Sequence, residues 1–134
     1  MTAVEMEERM QRLMDEYAGG VHQFYRLNEE RLNHALRNIK KLQEQTRFLC
    51  GEDLHDLLSA HEVIDRLDVA EVLLQHLLFR KETRWPGWQT RMDYPEVDPN
   101  LDCFVESVRD PQTGEIKVFT RPYEQKVPGD RTKG

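Results

Sequence analysis

The feature that most constrains the fold is a run of apolar residues at helical spacing, from residue 54 to about residue 81. Its main stripe consists of Leu57, Leu58, Ile64, Leu67, Ala70, Leu74, Leu77 and Leu78. Other faces carry Val63, Val69, Val72, Leu73 and Phe79. A helix that is apolar on several faces is normally buried, so we predict that it is central. At 1.5 Å per residue it would be roughly 40 Å long, which is more than a lone small domain needs and points to a larger body.

Two further helices are predicted before it. Residues 4–17 carry one apolar stripe, formed by Met6, Met10, Leu13, Met14 and Tyr17. Gly19 and Gly20 then interrupt this helix, because glycine costs about 1 kcal/mol relative to alanine. A second helix is expected to resume near Val21 and to end at Cys50 and Gly51, with a stripe through Tyr25, Leu32, Leu36, Ile39, Leu42 and Leu49. These patterns predict a mainly α fold, a three-helix bundle of the spectrin-like up-down-up kind.

The last third of the chain has a different character. Pro95 and Pro99 exclude a helix, so residues 93–100 are expected to form an extended segment. Two β-prone runs follow, residues 103–109 and 115–121, and the turn between them contains Pro111 and Gly114. This arrangement predicts a C-terminal β-hairpin. We expect one helical domain with its hairpin over residues 1–126 and a flexible tail over residues 127–134.

Composition narrows the classes of function. A chain of 134 residues fits one domain, and its net charge of -6 lacks the positive field that nucleic acids select. No apolar run approaches the length that spans a bilayer, and the first residues do not resemble a signal peptide. The two cysteines, Cys50 and Cys103, are far apart and are expected to be reduced thiols. We therefore expect a cytoplasmic protein with no nucleic-acid partner and no membrane span.

No complete catalytic constellation is present in the sequence. The glycines form neither a GxGxxG motif nor a P-loop, so no dinucleotide site is predicted. Ser59 and the cysteines lack a motif that would supply a base and an oxyanion site. A metal site is the weakest hypothesis, because the spacing of its candidate ligands is loose. These candidates are His55, His61, Glu62, Asp65 and His76. We assign no catalytic, cofactor-binding or metal-ligating residue, and we expect no activity from this chain alone.

The segment ETRWPGWQTRMDYP, residues 82–95, follows the longest predicted helix. Charges of both signs alternate here with flat aromatic side chains, a mixture typical of interfaces and of rigid irregular crossings. The candidate residues are Arg80, Glu82, Arg84, Trp85, Trp88, Arg91, Asp93 and Tyr94. The alternative is that the two tryptophans only seal the end of the bundle. Both interpretations make the segment an interface or a structural turn, not a catalytic site.

Several of these motifs resemble the C-terminal helical domain of the fumarate reductase and succinate dehydrogenase flavoprotein superfamily. They are MQRLMDEYAGGV, NEERLNHALRNIKKLQE and an R-x-E-[ST]-R segment followed by R-x-D-Y-P, and the resemblance extends from about Glu5 to Tyr123. Within the superfamily, ETRWPGW and FVESVRDPQTGEIKVFTRPY are most similar to the alpha subunits of dissimilatory adenylylsulfate reductases. Fumarate and succinate enzymes carry ESRG-x-H instead, and Trp88 or Gln89 falls where their histidine would be. This departure argues against oxidation of succinate, fumarate or aspartate.

The resemblance implies that FAD is bound by an earlier domain of a parent flavoprotein, and that an iron-sulfur subunit supplies its electrons. It implies that the helical domain packs against the flavin domain and supports the subunit interface. We therefore expect a non-catalytic domain or small subunit of an adenylylsulfate-reductase-like oxidoreductase in sulfur metabolism. Its contacts to a FAD-binding polypeptide would be made by Arg84, Trp85, Trp88, Arg91 and Tyr94. The alternative is an independent protein–protein interaction module, which would be a homodimer without a redox role.

Overall fold

The structure is a computed structural model that describes residues 1–84 and 87–123. Its helices are α1 (Ala3–Tyr17), α2 (Glu29–Gln45) and α3 (Leu54–Phe79). Its strands are β1 (Arg26–Leu27), β2 (Thr90–Arg91), β3 (Phe104–Arg109) and β4 (Ile116–Arg121). Short 3-10 turns occupy Val21–Gln23, Thr46–Phe48 and Pro99–Leu101. The prediction of a mainly α fold, three helices followed by a hairpin, is confirmed. The expected flexible tail, residues 127–134, lies outside the described residues.

The first helix begins and ends where the sequence predicts. Thr2 is its N-cap and forms a capping box with Glu5. The Thr2 N–H donates to the Glu5 carboxylate at 3.1 Å, and the Glu5 N–H donates to the Thr2 hydroxyl at 3.2 Å. Gly19 has a φ of +71° directly after the helix. A Cβ on Gly20 would lie 2.4 Å from the Cα of Asp15, so only glycine fits the close return of the chain. The interruption by two glycines is confirmed.

The prediction that the second helix resumes near Val21 is wrong. The helix begins at Glu29, after Asn28, whose side-chain oxygen accepts a bond of 2.8 Å from the backbone N–H of Arg31. The residues before this cap form a 3-10 turn and β1, and Tyr25 has a positive φ that no α-helix contains. Tyr25 therefore does not belong to the helical stripe. Leu49 also lies beyond the end of α2.

The third helix lies at the centre of the molecule, as predicted. It packs against α1, α2 and both strands of the hairpin. Leu67 and Leu74 are fully buried on its inner face. They join a core that also contains Met6, Met10, Leu32, Ala35, Ile39, Leu42 and Val63. Part of the predicted apolar surface of α3 is nevertheless exposed, at Leu54, Leu57, Leu58, Val69 and Leu73. Within the described residues no helix is long and apolar enough to cross a bilayer.

The C-terminal hairpin has the predicted strands and turn. Strands β3 and β4 are antiparallel, and Gly114 has a φ of +75° in the turn, where its N–H donates to the Asp110 carbonyl at 2.8 Å. Two polar contacts attach the hairpin to α3. The His76 ring is 2.9 Å from the Ser107 hydroxyl, and the Arg109 guanidinium is 3.2 Å from the buried carboxylate of Glu71. These contacts place the hairpin beside the C-terminal half of α3.

Candidate functional site

Arg91 is a buried charged group of the candidate site, and its side chain is only 2% exposed. Its Nε and Nη2 atoms donate to the two carboxylate oxygens of Asp93 at 2.9 and 3.0 Å. Its Nη1 atom donates to the carbonyls of Leu77, at 2.6 Å, and Arg80, at 3.3 Å. These carbonyls end α3 and have no helical partner, so a guanidinium there satisfies them and complements the helix dipole.

Asp93 extends this contact to a second helix. Its Oδ2 atom accepts a bond of 3.0 Å from the backbone N–H of Glu29, the first residue of α2. A carboxylate is favoured at this helix end because the N-terminal N–H groups carry partial positive charge. The hydrogen bonds from Arg91 lower the pKa of Asp93 to about 2, with a smaller contribution from Glu29 N–H against the opposing effect of burial. One ion pair thus joins the end of α3 to the start of α2.

Glu82 organises a second cluster next to it. Its carboxylate is completely buried, and it accepts bonds from Arg84 and, at 3.3 Å, from Nη1 of Arg80. The bond to Glu82 raises the pKa of Arg84. A buried carboxylate is stabilised only when it is paired and hydrogen-bonded, and two guanidinium groups supply both here.

The same two arginines attach the extended segment to the end of α3. Arg80 donates to the carbonyls of Leu101 and Cys103 at 3.0 and 3.1 Å, and Arg84 donates to the carbonyl of Asp98 at 2.9 Å. This stretch belongs to no sheet, so the two guanidinium groups add donors to the few backbone bonds that it forms, such as that from Leu101 N–H to the Asp98 carbonyl at 3.0 Å. We call Arg80, Glu82, Arg84, Arg91 and Asp93 the ionic corner.

Thr83 was not among the predicted site residues. Its hydroxyl accepts a bond of 3.0 Å from Arg91 N–H and donates to the Tyr94 carbonyl at 2.9 Å, and its own N–H donates to the Glu96 carbonyl at 3.1 Å. The hydroxyl residue of the R-x-E-[ST]-R motif was the available signal. The ring of Tyr94 lies 5.2 Å from the Arg91 guanidinium carbon, so Tyr94 also packs on the ionic corner.

Trp88 borders the ionic corner without being buried in it, because it lines a cavity of about 210 Å³ together with Arg80, Glu82, Arg84 and Arg91. Trp88 is 85% exposed, so it does not seal the end of the bundle. It lines a shallow hollow of about 430 Å³ with Tyr25 and Gln89. Strands β1 and β2 pair in parallel beside this hollow, where the Thr90 N–H donates to the Tyr25 carbonyl at 2.8 Å. Trp85 lies outside the described residues.

The histidine hypothesis finds no geometric support in residues 1–84 and 87–123. No group of three or more His, Cys, Asp or Glu side chains in these ranges could hold a metal ion. His76 contacts Ser107 instead of His55 or His61. Both cysteines are free thiols. In the ionic corner the charged groups are paired with one another and with backbone carbonyls, which suits a structural turn.

The structure combines a helical bundle, a long helix that ends at the R-x-E-[ST]-R segment, and a C-terminal hairpin. This combination is that of the flavoprotein C-terminal domains. The family model described as fumarate reductase flavoprotein C-term matches residues 7–132, and the chain belongs to this family. The predicted resemblance is therefore confirmed.

Two curated relatives show how much of a longer protein is matched. The chain is 37% identical over 123 residues to adenylylsulfate reductase subunit alpha of Megalodesulfovibrio gigas, covering 91% of this chain and 18% of that protein. It is 33% identical over 99 residues to a Helicobacter pylori fumarate reductase flavoprotein subunit, covering 70% of this chain and 13% of that protein. The chain spans less than one fifth of the length of these relatives.

Solved structures have the same fold. Adenylylsulfate reductase of Archaeoglobus fulgidus superposes with a TM-score of 0.88 at 40% identity, covering 93% of this chain and 20% of that chain. Quinol fumarate reductase of E. coli superposes with a TM-score of 0.80 at 22% identity, covering 98% of this chain and 23% of that chain, which supports the fold alone. The chain is thus a flavoprotein-associated domain.

Proposed function

We propose that this chain is a non-catalytic domain or small subunit that supports the FAD-bearing polypeptide of an adenylylsulfate-reductase-like oxidoreductase. One observation carries the proposal. At 40% identity, 93% of the chain superposes on only 20% of the A. fulgidus adenylylsulfate reductase chain. The chain therefore matches about one fifth of the length of that enzyme chain. We interpret this match as that of a supporting part.

The ionic corner supplies a physical basis for support. It fixes the ends of two helices and the extended segment through buried charges, and such satisfied networks give a unique rigid geometry. A rigid domain can hold a neighbouring flavin domain and a subunit interface at a constant position. In this proposal Arg80, Glu82, Arg84, Arg91, Asp93 and Tyr94 maintain the turn from inside. An iron-sulfur subunit is part of the proposed complex by family resemblance.

Affinity purification tests the proposal. An affinity tag would be added to the chromosomal copy of the gene in its host. The tagged protein would be purified under mild conditions and analysed for FAD, iron and adenylylsulfate reductase activity. We expect a flavoprotein of this family to co-purify, or to be continuous with the tagged residues in one longer polypeptide. The 134-residue chain produced by itself should be colourless and inactive. Bound flavin or turnover in that isolated chain would contradict the proposal, as would a tagged chain without any flavoprotein.

A second candidate function is an independent homodimeric interaction module. The observation that favours it is the exposed apolar side of α3, where Leu54, Leu58 and Val69 are 83%, 58% and 67% exposed. Exposed apolar patches often mark association surfaces. Sedimentation of the purified chain distinguishes the two candidates. A stable dimer that does not bind a flavoprotein would support the interaction module. A monomer that binds a flavoprotein would support the first proposal.

A further inference from the structure

The connection between α1 and α2 holds two consecutive aromatic residues in a strained backbone conformation. Phe24 and Tyr25 have φ angles of 53° and 58°, in the left-handed region. This region is unfavourable for a residue with a side chain, because its Cβ approaches the following carbonyl oxygen. Both side chains are exposed, Phe24 by 75% and Tyr25 by 40%, so their burial in this domain does not offset the strain. Strain that packing does not explain is a reason to look for a binding role.

Backbone hydrogen bonds hold this turn in place. The N–H groups of Phe24 and Tyr25 donate to the carbonyls of Val21 and Gly20, at 3.1 and 3.2 Å. The Tyr25 carbonyl accepts from Thr90 N–H across the β1–β2 pair. The aromatic side chains therefore project from a backbone that is already fixed. Binding of a partner would need little further ordering of this turn, which lowers the entropic cost of association.

Trp88 and Arg26 complete a surface that we call the aromatic patch, consisting of Phe24, Tyr25, Arg26 and Trp88. Trp88 shares the hollow with Tyr25. The Arg26 guanidinium carbon lies 5.7 Å from the centre of the Phe24 ring. Trp, Tyr and Arg are the residues that most often dominate binding energy at protein interfaces.

The charge of the aromatic patch is unusual for this chain. The whole chain has a net charge of -6, yet the patch contains one cation and no acidic residue. Among the part of the chain that the structure describes, Arg26 forms no ion pair within 4.0 Å. A two-fold contact between copies would place like-charged patches against each other, which is unfavourable. A complementary surface would be apolar and would carry a carboxylate.

We propose that the aromatic patch is the surface on which this domain docks to its flavin-bearing polypeptide, through an apolar segment with an acidic side chain opposite Arg26. The inference rests on the proposed function and deepens it by assigning the contact. The family model describes the C-terminal part of a flavoprotein, and more than four fifths of the M. gigas relative lies outside the match. That remaining polypeptide is the occupant to which the proposal commits.

Site-specific photo-crosslinking tests the assignment in the tagged full chain, in its own host. p-Benzoylphenylalanine would replace Trp88 in one variant and Phe48 in the control. Phe48 is a suitable control because it is also an exposed aromatic residue, 58% exposed against 85% for Trp88. We expect an adduct only from the Trp88 position, joined to the flavin-bearing polypeptide and identified by peptide mass spectrometry. Adducts to a second copy, no adduct, or equal yields from both positions would overturn the proposal.

A binding series with the purified flavoprotein sharpens the chemistry. Phe24→Ala, Trp88→Ala and Arg26→Glu should each weaken binding about 10-fold or more, as interface anchors do. Phe48→Ala and Arg47→Glu should leave binding within about 2-fold, the range of near-neutral contacts. Circular dichroism confirms that each variant is folded. Unchanged affinity of the folded Arg26→Glu variant would refute the acidic partner. If the flavoprotein binds but crosslinks only at residue 48, the docking surface is wrong and the proposed function stands; if none binds, the proposed function fails.

Discussion

The backbone groups that lack a helical partner are hydrogen-bonded in different ways at the two ends of α3. At its start, Asp53 caps the helix by accepting from Asp56 N–H at 2.9 Å, and the next residue, Leu54, is 83% exposed. At its end, Arg91 satisfies the last carbonyls from a position that is 2% exposed, and a whole segment folds over it. The start is closed by one local cap, whereas the end is closed by ion pairs whose charged side chains also hydrogen-bond distant backbone groups. Among the described residues, the contacts at the second end extend to the start of α2 and to the extended segment.

The largest expected effect comes from breaking the ionic corner. Arg91→Ala removes the guanidinium donor from the terminal carbonyls of α3 and from the Asp93 carboxylate, which keeps its bond from Glu29 N–H. Removing one partner of a buried ion pair costs about 3–5 kcal/mol. Urea unfolding should measure this decrease in the free energy of unfolding. Arg121→Ala is the control, because the pair of Arg121 with Glu106 is half exposed and should contribute at most about 1 kcal/mol. Equal losses in both variants would show that the corner does not differ from a surface ion pair.

The inner face of α3 should be nearly as sensitive. Leu67 is fully buried, so Leu67→Ala should lower the free energy of unfolding by about 2–4 kcal/mol through lost burial and a cavity. Leu54→Ala removes the same atoms from an exposed position and should change it by less than about 0.5 kcal/mol. Thermal and urea unfolding of the two variants provide the comparison. A large loss for Leu54→Ala would mean that the exposed face of α3 is covered in the isolated chain.

The pH dependence of stability tests the ion pair at the end of α3. The pKa of Asp93 is lowered from 3.8 to about 2, so its ion pair stabilises the fold above pH 4, and this contribution is lost as the pH falls to about 2. Asp93→Asn should therefore be less stable than the unmodified chain at pH 6, and the difference should shrink toward pH 2. If the difference in the free energy of unfolding between the two proteins stayed constant from pH 6 to pH 2, the destabilisation would come from lost hydrogen bonds and not from the lost charge.

The same contrast explains which parts could be predicted from the sequence. Helix α3 and the hairpin depend on local periodicity and on Asp53 and Gly114, so their positions were predicted well. The start of α2 was misplaced because Tyr25 is held at positive φ by a hydrogen bond from Thr90, far away in sequence. The motif residues of the corner were found, but not that Arg91 is buried while Trp88 is exposed. That division depends on tertiary packing, which periodicity does not encode.

The smallest expected effect belongs to the local cap at the start of α3. Asp53→Ala removes the acceptor for Asp56 N–H, and the loss of such a cap costs about 1 kcal/mol. Asp53→Asn retains an acceptor and should recover most of this loss, which separates the cap from general effects of charge. Because the Asp53 side chain bonds to no distant segment within residues 1–84 and 87–123, amide exchange should increase only in the first turn of α3. In Arg91→Ala, by contrast, exchange should increase at the end of α3, at the start of α2 and in the extended segment together. Exchange confined to one of these three regions would mean that the ionic corner does not couple them.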